Sequence, residues 1–238
     1  MPSGLAAGPV SEARGVNQDW VRWHEAYDDP ASYLSARLAC VQEHLSDALT
    51  AAPPGPVRLL SLCAGQGNDV LGVLPGHPRR ADVIAVLVEF DGHNAAVAAD
   101  RASRAGLTNV EVRQADAGVA ANYADMLPAD VLLLCGIFGN VSDGDVRRTV
   151  LAATAMCVPG ATVIWTRHRI PPDLTPQLRA WFTEAGFAEV AFPELPAAPL
   201  AGVGVARWPA AAHRSAPGSS DAPSSLPGGR LFTFRGAD

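Results

Sequence analysis

Three points in the chain set glycine or acidic residues at the ends of apolar runs, and the chemistry they suit is that of holding a nucleoside. Gly65 and Gly67 follow the run VRLLSL in the stretch VRLLSLCAGQGNDV, residues 57–70. Glycines there let the backbone turn sharply and leave no side chain between it and a ligand. Asn68 is a candidate N-cap for a following helix, and Asp69 suits the positive end of its dipole. A strand, a Gly-x-Gly turn and a helix start together form a cradle for a nucleotide or an anion. Glu89 ends a second apolar run, DVIAVLVEF, 22 residues beyond Gly67. A carboxylate there can accept hydrogen bonds from both hydroxyls of a ribose. Asp116 follows a third run, NVEVR, where a carboxylate can accept from an adenine amino group. Each point also has a plainer reading, as a tight turn, a solvated strand end or a cap. Their recurrence at three successive strand ends favours a ligand.

The pattern also narrows which ligand. A dinucleotide site wants a third glycine three residues after Gly67, for close helix packing and room for a pyrophosphate, and that residue is Val70. No Gly-Lys-Ser/Thr is present, so a P-loop is excluded. An adenosine-bearing ligand without phosphate fits better.

The elements that must position these residues alternate along the chain. Strands are expected at 57–62, 82–90, 109–113, 130–135, 161–166 and 188–192, with helices at 94–105, 142–156 and 175–185 and a short one near 123–127. Ser142 is a helix cap, Gly186 a helix stop, and Pro159-Gly160 a turn. This βα alternation implies an α/β fold: a Rossmann-like, doubly wound, mostly parallel seven-stranded sheet with an N-terminal helical extension. The seventh strand is either 203–208 (VGVARW) or 231–234 (LFTF); between them, 209–229 is rich in Pro, Ala, Ser and Gly and reads as a flexible loop. Residues 1–52 form the expected extension or lid, and 53–238 the ligand-binding domain. Within the extension, Trp20, Trp23 and Tyr27 make a one-sided aromatic stripe. Asp29-Pro30 marks a second helix start, and Leu34, Leu38, Val41, Leu45 and Leu49 give that helix an apolar face.

Composition excludes several partners. The 238 residues carry a formal net charge of −6, and all 18 basic residues are arginines with no basic stripe. A nucleic acid or an anionic membrane is disfavoured. No apolar run is long enough to span a bilayer and no leader pattern opens the sequence, so a cytoplasmic protein is expected. Cys40, Cys63, Cys135 and Cys157 are scattered, and neither their spacing nor any His or carboxylate set suggests a metal. Oligomeric state is not legible.

With these residues in hand, the chain resembles the class I S-adenosylmethionine (SAM)-dependent methyltransferases over about residues 57–192. LLSLCAGQG is similar to the family's first motif, VLVEFD to its second and RQADAG to its third, and VLLLCGIFGN stands where the fourth would be. A further likeness is to an actinobacterial subgroup with small-molecule acceptors. The chain departs from the pattern at Ser61, where the family carries an acid, and at Cys63, where it carries the first motif glycine. The resemblance implies that Cys63, Ala64, Gly65 and Gly67 line the methionine portion of the cofactor and that Glu89 holds the ribose. It places Phe90 beside the adenine, Asp116 and Ala117 at its edge, and Cys135 and Gly136 beneath the sulfonium. Tyr27 and Arg37 are candidates to close over the cofactor carboxylate, Arg by a bidentate contact; a solvated helix charge is the plainer reading of Arg37.

Methyl transfer from a sulfonium needs collinear positioning and exclusion of water, and a general base only where the acceptor must lose a proton. His168, in WTRHR, and His24 are the candidate bases. The expected function is methyl transfer to a small-molecule acceptor, with a natural-product intermediate among the candidates. A SAM-binding protein that catalyses a different reaction, or a non-catalytic SAM-binding module, stays open. A NAD-dependent oxidoreductase is argued down by Val70.

Overall fold

The computed structural model describes residues 32–210 and 229–235. The expectations for Trp20, Trp23, His24, Tyr27 and Asp29-Pro30, and for most of the 209–229 loop, lie outside them. The first described helix, α1 (Tyr33–Ala51), begins on Ser32, whose hydroxyl accepts from the Ser35 amide. Its apolar face, with Val41, Leu45 and Leu49 buried, packs on the sheet and on the next helix.

The rest alternates as expected. Strand β1 (Val57–Leu62) leads through the glycine turn to α2 (Asn68–Val73). Strand β2 (Val83–Glu89) leads to α3 (Gly92–Arg104), and β3 (Val110–Gln114) to a 3-10 segment, Ala120–Met126. Strand β4 (Ala129–Leu134) precedes α4 (Asp143–Met156), capped by Ser142. Strand β5 (Cys157–His168) precedes α5 (Thr175–Glu184), and β6 (Ala188–Ala191) and β7 (Ala201–Arg207) complete the sheet.

The seven strands lie in the order β3-β2-β1-β4-β5-β7-β6. β1 to β5 are mutually parallel, and β7 runs antiparallel between β5 and β6. The strand order reverses between β1 and β4, which opens a crevice at the carboxyl ends of the parallel strands. Successive residues of β1 point to opposite faces. Leu60 and Leu62 join a core under α4 and α5, while Val57 and Leu59 join a second core under α1, α2 and α3. Covering both faces explains why the central strands are almost continuously apolar.

One open alternative is resolved and one expectation is corrected. The seventh strand is β7, the first of the two candidates, and LFTF with the preceding Arg230 makes only isolated bridges, Val119 with Arg230 and Val141 with Phe234. Leu231 and Phe232 are both buried against the core under α4 and α5. Pro159-Gly160 does not precede the fifth strand but lies within it: pairing starts at Cys157, and the register with β4 shifts between Ala129 and Val131.

Candidate functional site

The turn after β1 is built by three left-handed residues, Cys63 (φ 57°), Gly65 (φ 56°) and Gly67 (φ 71°). Cys63 is the one non-glycine residue at positive φ among the described residues. The glycine expected here is therefore replaced without change of backbone, at a strain cost of about 1–2 kcal/mol. Gly67, not Asn68, occupies the N-cap of α2 and offers no side-chain cap. Its conformation and the packing both demand glycine: a Cβ there would stand 2.8 Å from Leu71 Cδ1.

Glu89 ties this turn to the next. Its Oε2 accepts from the Gly65 amide at 2.7 Å, and its Oε1 from the Asp91 amide at 2.8 Å. One carboxylate thus sets the glycine turn and the loop after β2. Asp91 is spent as the cap of α3, accepting from the Asn94 amide at 2.8 Å. Beside Glu89, Phe90 is 76% exposed, an isolated aromatic face at the mouth of the crevice.

One strand further, Asp116 Oδ1 accepts from the Gly118 amide at 2.8 Å and Oδ2 pairs with Arg230 Nη1 at 2.7 Å. Ala117 is buried, its carbonyl accepting from the Tyr123 hydroxyl at 3.2 Å. After β4, Gly136 adopts φ 76°. Its amide donates to Thr166 Oγ1 at 3.0 Å and its carbonyl accepts from Asn140 Nδ2 at 2.7 Å. His168, at the end of β5, lies against this same loop: a Cβ at Gly139 would be 2.9 Å from its Cδ2.

Cys63 and Cys135 stand half-buried on the floor between β1 and β4. Burial pushes the thiols of Cys63 and Cys135 well above their ordinary range, and the charge of Glu89 adds to this at Cys63, that of Asp69 at Cys135. Asp69, read from sequence as a helix-dipole partner, is 7% exposed, and its Oδ1 accepts from the Val70 amide at 2.8 Å. Burial raises its carboxyl to about 6, against the opposing pull of that amide bond and of the Arg37 and Arg101 charges. Arg37 acts on both Asp69 and Cys135, so α1 delivers a cation to this end of the crevice. Ser61, in the acid's place, is 1% exposed and its hydroxyl has no partner.

The structure therefore brings Cys63, Ala64, Gly65, Gly67, Glu89, Phe90, Asp116, Ala117, Cys135, Gly136 and His168 to one edge of the sheet, with Arg37 beside them. Tyr27 and His24 lie outside the described residues. Sequence reasoning missed Asp69 as a site residue and missed Arg230 altogether. Among the described residues no cluster of three or more His, Cys, Asp or Glu could hold a metal, and no helix is long and apolar enough to cross a membrane.

No protein-family model matches the chain, and no curated protein matches it in sequence. Solved structures do match in fold. The carbon methyltransferase CurJ aligns with a TM-score of 0.60 at 16% identity, over 81% of this chain and 59% of its own. The magnesium protoporphyrin IX methyltransferase ChlM from Synechocystis PCC 6803, solved with bound SAM, aligns with a TM-score of 0.62 at 10% identity, over 79% of this chain and 90% of its own. The fold is that of the class I methyltransferases. An O-methyltransferase family protein from Burkholderia thailandensis aligns similarly, with a TM-score of 0.54 at 14% identity, over 80% of this chain and 63% of its own. The chain thus spans less than two thirds of the length of CurJ and of the Burkholderia protein.

Proposed function

We propose that the crevice binds SAM and that the protein transfers the methyl group to a small-molecule acceptor. The observation that carries this reading is the line of Glu89, Phe90 and Asp116 on adjacent strand ends around the glycine turn. A carboxylate oxygen can accept two hydrogen bonds, so Glu89 can hold the Gly65 and Asp91 amides and still receive ribose hydroxyls. Phe90 offers its exposed face to the adenine, and Asp116 with the Ala117 backbone offers an edge to its amino group. At the other end, Arg37 suits the carboxylate and Asp69 the ammonium of the amino-acid moiety. The backbone of Cys63 and Ala64 lines the same moiety, and Cys135 and Gly136 underlie the sulfonium.

When bound, SAM supplies an electrophilic methyl on a sulfonium with a neutral leaving group. The chain's own part is to position and to exclude water. The loops after β1 and β4 provide walls fixed by hydrogen bonds, so little reorganisation is needed at the reacting centre. His168, at the rim after β5, takes the proton at an imidazole nitrogen where the acceptor is a hydroxyl. The net charge of −6 without a single lysine favours a small acceptor over a nucleic acid, and a natural-product intermediate is consistent with it. A cytoplasmic location fits such a role.

Calorimetry tests the cofactor: S-adenosylhomocysteine is expected to bind at micromolar affinity and NAD not at all. Equal signals for both, or none for the homocysteine product, would sink the reading. Transfer is checked by a mass gain of one methyl on the acceptor with loss of SAM. With a hydroxyl acceptor, His168→Asn is expected to lower turnover about 100-fold and leave cofactor affinity unchanged.

A further inference from the structure

The segment 229–235 straps the loops after β3 and β4 together. The Leu231 amide donates to the Gly118 carbonyl at 2.7 Å, and the Arg235 amide to the Asn140 carbonyl at 2.8 Å. Arg148 Nη1 donates to the Leu231 carbonyl at 3.2 Å. Leu231 and Phe232 are 0% and 1% exposed, so two apolar anchors fix the strap independently of its charges. The strap lies directly on Gly118, where a Cβ would stand 2.3 Å from the Phe232 carbonyl oxygen. No other residue fits there without moving the strap.

This placement sends Arg230 to Asp116. Its Nη1 lies 2.7 Å from Oδ2, while the Gly118 amide holds Oδ1 at 2.8 Å. With both oxygens held, neither torsion of the Asp116 side chain is left to turn. The pair is half-exposed, with side chains 47% and 33% accessible, so its contribution to stability is small. Its effect on a ligand is another matter. An acceptor fixed before binding spares the ligand the cost of ordering it.

We infer that Arg230 is a positioning residue for the nucleobase: through the strap it fixes the Asp116 carboxylate as a preformed acceptor for the exocyclic amino group of an adenine. The inference rests on the proposal that the crevice holds an adenosyl ligand. It has a sharp opposite, in which the ion pair occupies Asp116 and must open before the base can bind.

The experiment is calorimetry on the full chain with S-adenosylhomocysteine and with S-inosylhomocysteine, whose base carries an oxygen in place of the amino group. The wild type is expected to prefer the adenosyl ligand tenfold or more. Arg230→Ala is expected to weaken adenosyl binding about fivefold and leave inosyl binding unchanged, so that the preference collapses; Arg230→Lys restores part of it. Equal weakening of both ligands would reduce Arg230 to a structural role, tighter adenosyl binding would make the pair a gate, and no change would dissociate it from the site; each overturns the inference. A wild type that binds neither ligand fails the cofactor proposal itself, and the inference with it. Should Arg230→Ala not fold, Arg230→Gln, which keeps reach and a donor without the charge, gives the same comparison.

Discussion

The two ends of the crevice are built on opposite principles. On the β2–β3 side, Glu89 and Asp116 are carboxylates with every oxygen engaged by a backbone amide or an arginine, beside an exposed aromatic face. On the β1–β4 side, the groups are two half-buried thiols, a hydroxyl with no partner and one carboxyl raised by burial. The first end is set to recognise a neutral polar ligand through fixed hydrogen bonds. The second is set to feel charge more strongly, because its titratable groups are desolvated and the local dielectric is lower.

The largest effect expected from this contrast is at Asp69. Its folded value of about 6 stands above the 3.8 of an ordinary aspartate, so the folded chain holds the proton more tightly than the unfolded one. The stability this gives is complete below about pH 4 and is lost as the pH rises through about 6, a loss of about 3 kcal/mol. Asp69→Asn, which keeps an acceptor for the Val70 amide, is expected to remove that slope and to be the more stable protein near neutrality. Urea midpoints across this range check it, and an unchanged slope would mean that the floor is wetter than its burial implies.

At the other end the effect falls on binding. Glu89→Gln keeps the shape but replaces charge-assisted bonds of about 1.5–3 kcal/mol each by neutral ones. Tenfold or weaker binding of S-adenosylhomocysteine is expected, with a lowered melting temperature, because the new Nε2 turns a donor toward either the Gly65 or the Asp91 amide. Glu89→Ala goes further, stranding the Gly65 and Asp91 amides, and is expected to lose stability as well. Equal affinity in both variants would remove the ribose contact from Glu89.

The smallest effect separates backbone from side chain at Cys63. Cys63→Gly suits φ 57° and is expected to hold or raise the thermal midpoint. Cys63→Val, β-branched at positive φ, is expected to lower stability by about 1–2 kcal/mol. The reverse order would show that the thiol's packing outweighs the turn.

These groups differ in how far the sequence exposes them. The strands of the parallel sheet are legible because burial on both faces forces long apolar runs, and Glu89 and Asp116 are legible because such runs end at them. Ser142 and Gly186 mark their helix ends by side-chain chemistry and by a φ of 96°. Cys63 is not legible as a left-handed residue, since cysteine carries no turn signal. Asp69 looks the same in sequence whether it is solvated at a helix start or sealed under α1. Arg230 lies 114 residues from its partner Asp116, and nothing local in a Pro/Ser/Gly-rich stretch announces a contact across that distance. The N-cap of α2 shows the same limit on a small scale: Asn68 has the capping chemistry, but the left-handed turn puts Gly67 in the position.

The thiols have a consequence of a different kind. A protein that holds an electrophilic methyl donor is itself a candidate for alkylation, and the thiolate is the form that reacts. Cys63 and Cys135 stand at the crevice, and Cys157 lies at the opposite edge of the sheet, at the start of β5, with burial pushing its thiol up to about 12. Each is kept protonated, and so poorly nucleophilic, by the desolvation that raises its thiol. The features that leave this end without a polar partner for Ser61 thereby protect the proposed enzyme from becoming its own acceptor.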